Sequence, residues 1–336
     1  MGPQSAAIRT EALSKHFASF VAVDQVSFEV RPGECFGLLG PNGAGKTTVI
    51  RMLTTLLLPT SGRAEVAGHD VVRAARRVRE VIGVIPQALT SDLDLTGWEN
   101  LDIYGEFYGV PRRVRRERVK HLLEMVALSE RAHELVATYS GGMRRRLEIA
   151  RGLMHQPRVL FLDEPTIGLD PQSRRVVWEL LERLRHETDL TISLTTHYME
   201  EAEYLCDRIA IVDGGKIVAL DTPNGLKASV KAGDHIELEV DADAEQVAAA
   251  LRAQPYVREV THDGNGQISL AADDGARAIP RIIDQVEAGG HRVVSIGLRR
   301  LSLEDVFIHF TGRTLRDMPA KKISFFIGAG MPQSRN

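Results

Sequence analysis

The run Gly40-Pro41-Asn42-Gly43-Ala44-Gly45-Lys46-Thr47-Thr48 constrains this chain more than any other stretch. It fits the phosphate-loop pattern G-x-x-x-x-G-K-[ST]. The apolar run Cys35-Phe36-Gly37-Leu38-Leu39 before it reads as a buried strand. After it, Val49, Ile50, Met52, Leu53 and Leu56 recur at helical spacing. A glycine loop between strand and helix lets consecutive backbone N–H groups turn toward an anion, and the positive end of the helix faces the same point. Gly40, Asn42, Gly43, Ala44, Gly45, Lys46, Thr47 and Thr48 are therefore predicted to surround a triphosphate. Lys46 is predicted to reach the β- and γ-phosphates, and the Thr47 hydroxyl to hold Mg²⁺.

The length, 336 residues, suits about two domains. A net charge of −3 gives no global pull toward nucleic acid. No apolar run approaches the ~20 residues of a membrane-spanning helix, and residues 1–10 lack the basic start and apolar core of a signal peptide. Cys35 and Cys206 sit in apolar surroundings with no C-x-x-C pair, and are read as reduced core thiols.

From about residue 8 to 221 apolar strands alternate with amphipathic helices, the pattern of an α/β fold with a parallel-rich sheet. Val159-Leu160-Phe161-Leu162 and the run 190–194 read as strands covered on both faces. Such sheets bind ligands at the carboxyl ends of their strands, so Gly40, Asp163 and His197 are expected to converge there. Residues 99–155 read as an Arg-rich helical subdomain inserted in that core, entered by a loop at 92–98. Within it, Arg112, Arg113, Arg115, Arg116, Arg118 and Lys120 form a basic run beside Glu117, read as a solvated helix face rather than a nucleic-acid or lipid contact. Residues 234–312 follow the order βαββαβ and then a closing helix, which suggests a ferredoxin-like α+β unit. Its hairpin turn is placed at Asp263-Gly264-Asn265-Gly266. The expected division is 1–225, an ATP-binding domain with a small antiparallel sheet beside the parallel one; 226–315, an accessory domain; and 316–336, a Pro-, Gly- and Lys-containing tail open to disorder.

A second nucleotide motif is the strand that delivers Asp163 and Glu164. Asp163 is expected to bind Mg²⁺, and Glu164 to orient and polarise an attacking water. A third is Tyr139-Ser140-Gly141-Gly142-Met143, where Ser140 caps a helix and two glycines leave N–H groups open to an anion. This run resembles the signature of ATP-binding cassette (ABC) ATPases, and the resemblance covers roughly residues 8–221. It implies that Phe17 stacks on adenine, Gln87 senses the γ-phosphate and Mg²⁺, Asp170 lies on the loop crossing to a second subunit, and His197 contacts the γ-phosphate. Lys46, Glu164 and His197 are then the catalytic group, and Thr47, Gln87 and Asp163 the Mg²⁺ group. Ser140, Gly141 and Gly142 join Phe17, Gln87, Asp170 and residues 40–48 in binding ATP.

The signature departs from its usual form at Tyr139 and Met143, and Gly97-Trp98 precedes Glu99 where a permease would be met. The resemblance implies a homodimer closing head to tail on two ATP molecules. Leu303-Glu304-Asp305-Val306-Phe307 and Thr311-Gly312-Arg313 resemble the tail of daunorubicin-resistance-type export ATPases. Those work with separate permeases of the ABC type-2 export class, at the cytoplasmic face of the membrane. The implied function is an ATPase subunit powering export of a hydrophobic drug, with lipid, peptide or sodium as alternative cargo. The rival is a non-transport ABC ATPase acting on ribosomes or nucleic acid, which usually carries two cassettes or a long coiled-coil insertion. The run Lys321-Lys322-Ile323-Ser324-Phe325-Phe326-Ile327 is a short candidate for membrane-surface contact.

Overall fold

The computed structural model describes residues 6–230, 233–241, 244–263, 266–272, 274–299 and 301–312. Gly264 and Asn265 of the expected hairpin turn, Arg313 of the C-terminal motif, the tail 316–336 and its run 321–327 lie outside the described residues.

The chain opens with β1 (Ile8–Phe17), β2 (Phe20–Val30), β3 (Cys35–Leu39), α1 (Lys46–Leu53), β4 (Ser61–Val66), β5 (His69–Asp70), α2 (Ala75–Val81) and β6 (Ile82–Ile85). The helices α3 (Gly97–Phe107), α4 (Arg112–Met125) and α5 (Gly141–Leu153) follow. Then come β7 (Val159–Asp163), α6 (Pro171–Glu187), β8 (Thr191–Thr196), α7 (Met199–Leu205), β9 (Arg208–Asp213), β10 (Lys216–Asp221) and α8 (Pro223–Ser229). The chain continues with β11 (Asp234–Val240), α9 (Ala244–Arg252), β12 (Val257–His262), β13 (Gln267–Ala272), α10 (Gly275–Ala288), β14 (Val293–Arg299) and α11 (Leu303–Thr311).

These strands build three sheets, ordered β2-β1-β4-β5, β10-β9-β3-β8-β7-β6 and β12-β13-β11-β14. In the second, β9, β3, β8, β7 and β6 run parallel and β10 adds an antiparallel edge. Every residue of β3, β7 and β8 is buried, as a parallel strand covered on both faces requires. One apolar cluster fills the space between the first two sheets and around α1, with Phe28 and Phe36 stacked at 4.9 Å. Another joins the sheet's other face to α3–α7. The third sheet is antiparallel, with α9 and α10 supplying its separate core, the ferredoxin-like arrangement expected.

Two expectations change in detail. The segment 92–98 is not all loop: Thr96 and Glu99 form a reciprocal capping box, so the first turn of α3 already holds Gly97 and Trp98. The basic run is not one solvated face. Arg115 is buried, bonded to Asp102 and Glu106, and Arg118 donates to Met154 O at 2.7 Å. Arg112, Arg113, Arg116 and Lys120 are exposed. Both cysteines are free and buried, and contact with Cys35 together with burial pushes the Cys206 thiol pKa up.

Candidate active site

The phosphate loop spans the end of β3 and the start of α1. Gly45 is one position in the loop that requires glycine: its φ is +105°, and a Cβ there would lie 2.4 Å from Ala22 O. Lys46 is buried, and its Nζ donates to Gly40 O at 2.7 Å and to Pro41 O at 3.0 Å. It also lies 3.5 Å from Glu164 Oε1. Burial lowers the Lys46 pKa, opposed by the charge of Glu164. Thus the Lys46 ammonium lies between two carbonyls of its own loop and the Glu164 carboxylate.

The adjacent parallel strands β7 and β8 end beside this loop. Thr47 Oγ1 donates to Asp163 Oδ1 at 3.0 Å, and Thr195 Oγ1 donates to the same oxygen at 2.6 Å. Thr195 also holds the next residue, because Glu164 N donates to Thr195 Oγ1 at 3.1 Å. Glu164 has φ +50°, an uncommon value for a residue with a side chain, and one that costs about 1–3 kcal/mol. The strain turns its carboxyl back between Lys46 and His197. His197 Nδ1 lies 2.8 Å from Glu164 Oε2, and neither buried atom has another hydrogen-bond partner. Burial acts to raise the Glu164 pKa, but His197 and Lys46 outweigh it and hold the carboxyl below its ordinary value.

Thr47 and Asp163 present hard oxygen donors side by side. Among the described residues no group of three or more His, Cys, Asp or Glu converges on a metal. Mg²⁺ takes one or two protein oxygens and completes its shell with phosphate and water, so this donor pair fits it.

The remaining expected residues lie in other places. Gln87 follows β6 with its side chain exposed. Phe17 ends β1 opposite Phe20, 38% exposed, with Lys15 Nζ 5.2 Å from its ring centroid. Ser140 caps α5, accepting from Met143 N at 3.2 Å, and Gly141 and Gly142 form its first turn. Asp170 caps α6, accepting from Ser173 N at 2.9 Å. Ser173 also packs on Gly142, so the two helix starts form one surface. Among the described residues, the hydrogen bonds of the phosphate loop do not reach this second group.

Three residues with buried polar roles went unnoticed in the sequence. Arg145, Glu148 and Glu201 are each under 4% exposed and each ties loops of the site together. Arg145 was hidden in the run Arg144-Arg145-Arg146, where spacing alone does not say which arginine turns inward. The signal available was its position one turn before buried Glu148 and Ile149, which lie on the same side of α5.

Comparison with known proteins supports the same reading. A family model described as ABC transporter matches residues 23–167, and one described as ATP-binding protein DrrA1-3-like, C-terminal domain, matches 222–311. The linearmycin resistance ATP-binding protein LnrL of Bacillus subtilis (strain 168) is 37% identical over 311 residues, covering 92% of this chain and 100% of that protein. The daunorubicin resistance ATP-binding protein DrrA2 of Streptomyces coeruleorubidus is 42% identical over 322 residues, covering 94% of this chain and 98% of that protein. Among solved structures, the dimeric post-hydrolysis state of the ATP-binding cassette MJ0796 bound to ADP and Pi is 25% identical with a TM-score of 0.58, covering 64% of this chain and 98% of that one.

Proposed function

The chain belongs to the ABC transporter family of ATP-binding subunits, in the branch with a DrrA-like C-terminal domain, and from this we propose a cargo, a partner and a role for each site residue. As a family member it binds ATP and hydrolyses it to drive transport. Among the described residues no helix is long and apolar enough to cross a membrane, so the path for cargo belongs to a separate membrane protein. We read that protein as a permease of the ABC type-2 export class, the cargo as a hydrophobic, antibiotic-like compound, and this chain as peripheral on the cytoplasmic face. The named resistance functions of the two curated relatives support this cargo class.

The observation that carries the mechanism is Glu164 held between Lys46 and His197, beside the pair Thr47 and Asp163. ATP would enter with its phosphates in the loop 40–48 and adenine on Phe17. Lys46 then exchanges its carbonyl partners for the β- and γ-phosphates. Thr47, Asp163 and Gln87 would hold Mg²⁺, which when bound would neutralise charge on the phosphate oxygens. With Lys46 moved onto phosphate, Glu164 loses a neighbouring cation and keeps its burial, so its basicity rises. Glu164 accepts a proton from water as the water oxygen attacks the γ-phosphorus, and the bond to the β,γ-bridging oxygen breaks to leave ADP and phosphate. His197 Nδ1 faces the same carboxylate and orients it, and contacts the γ-phosphate. A second copy, head to tail, supplies Ser140, Gly141, Gly142 and Asp170 to this ATP. Loss of the γ-phosphate removes the bridge and opens the pair.

The test joins two measurements. Tagged chain drawn from its native cells in mild detergent should bring down a multi-spanning membrane protein in comparable amount. Ribosomes in place of it would overturn the export reading. With that complex, Glu164→Gln should lower steady-state hydrolysis by at least about a hundredfold while still binding ATP and running as a dimer in light scattering. Turnover at the wild-type rate would remove Glu164 from its role.

A further inference from the structure

Arg145 lies in the second turn of α5 and is 2% exposed, yet none of its hydrogen bonds goes to a carboxylate. Nε donates to Pro165 O at 2.5 Å, Nη1 to Pro86 O at 2.7 Å, and Nη2 to Glu164 O at 2.8 Å. Burial lowers its pKa, and the charges of Glu148, Glu201 and Asp163 nearby offset that cost. A guanidinium buried at this expense against carbonyls is spent on geometry rather than on pairing charge. One fork therefore joins the backbone of the candidate base, and of the residue after it, to the residue just before Gln87.

The same helix grips the Gln87 loop a second time. Glu148, three residues on, accepts from Thr90 N at 2.7 Å, from Thr90 Oγ1 at 2.8 Å and from Ser91 N. Gln87 thus sits on a short arch pinned to α5 at both feet. The first turn of α5 is Gly141 and Gly142, capped by Ser140.

We propose that Arg145 is a positioning residue, which locks the backbone of Glu164 and of the Gln87 loop to the helix opened by Ser140, Gly141 and Gly142. This rests on the reading of Glu164 as the base. Glu164 already holds a strained φ of +50°, and its carbonyl is the atom Arg145 grasps, so losing the grip lets that peptide relax and swings the carboxyl out of line. A shift of α5, as its first turn meets a second subunit's ATP, moves Glu164 and Gln87 together.

The experiment compares Arg145→Lys with the unaltered chain in the complex with its permease. Lysine keeps the charge but replaces the planar fork by one compact ammonium on a different stem, which does not reproduce the three separately placed donors that hold Pro86 O, Glu164 O and Pro165 O. We expect kcat to fall about tenfold or more, with the Kd for a fluorescent ATP analogue changed by less than about twofold, because the phosphate loop is untouched. In a Glu164→Gln background, adding Arg145→Lys should leave the residual single-turnover rate unchanged within about twofold, since both act through one carboxyl. Wild-type kcat in Arg145→Lys would overturn the proposal, as would a full further loss in the Glu164→Gln background. Should Arg145→Lys not fold, Glu148→Gln, which keeps the shape of the second grip and removes its charge, is read instead. The same split of kcat from Kd is expected, and wild-type kcat would overturn the proposal. If Glu164→Gln alone turned over normally, the base assignment would fall, whatever Arg145→Lys had done.

Discussion

Glu201 is one buried side chain that links two parts of the site. It is 0% exposed, and Oε1 accepts from Thr166 Oγ1 at 2.7 Å and Trp178 Nε1 at 3.0 Å. Oε2 has no bonded partner. Thr166 begins the turn that leads to Asp170, and Thr196, beside His197, faces the same carboxyl. Burial raises the Glu201 pKa, outweighing these hydrogen bonds. A raised acid binds its proton more tightly folded than unfolded, so its stabilisation is complete below the ordinary carboxylate range and is lost as pH climbs through the raised value. Glu201→Gln keeps the acceptor oxygen and cannot ionise. Thermal unfolding followed as pH rises from the ordinary carboxylate range should therefore show the wild type losing stability relative to the Gln variant. Parallel curves would mean that folding does not raise the proton affinity of Glu201. Nothing in the spacing of Glu200, Glu201 and Glu203 marks the middle acid as the buried one.

At the scale of elements, α3 and the entry to α5 depend on each other. Tyr139 is buried and its hydroxyl donates to Arg131 O at 2.6 Å. That hydroxyl sits where a side chain on α3 would begin, because a Cβ at Gly97 would lie 2.4 Å from it. The two sequence departures noted separately, Gly97 and Tyr139, are therefore one packing solution. Trp98 stacks on His133 at 5.7 Å and packs into the same cluster, so it serves the helical insertion. Gly97→Ala should destabilise by about 1–3 kcal/mol through overpacking, although alanine is the better helix former by about 1 kcal/mol. Adding Tyr139→Leu should recover part of the loss in urea unfolding. If the double variant is as unstable as the sum of the single ones, the clash is not with Tyr139.

For the whole molecule, the question is how the last unit is joined to the rest. Its sheet and helices close their own core around Ile236, Leu238, Val247, Leu270 and Ile282. Helix α11 instead returns to the ATPase body: Leu303, Val306 and Phe307 are fully buried in the cluster that holds Leu205, Leu226 and Val230. Ser302 and Asp305 form a capping box that starts this helix. Leu205 ends α7, which begins two residues after His197, so the motif 303–307 is anchored one helix away from His197. Phe307→Ala should cost about 3–5 kcal/mol, seen as a lower urea midpoint for the ATPase body. A loss confined to the ferredoxin-like unit would show that α11 belongs to that unit instead.

The glycine spacing before Lys46, the all-apolar runs of β3 and β7 and the period of α1 and α5 by themselves determined the nucleotide fold, the phosphate loop and the carboxylate strand. Those features are local: a turn that only glycine adopts, a strand buried on both faces, and a helix start each leave their mark in a few consecutive residues. Tertiary structure alone decided which arginine of three faces inward, which of three nearby acids is buried, and that Gly97 is small because Tyr139 is large. It also decided that α11 packs on α7 rather than on its own sheet. Each of these depends on what arrives from a distant part of the chain, and burial of a charged or polar group is chosen by partners such as the carbonyls of Pro86 and Glu164, which spacing along one helix does not contain.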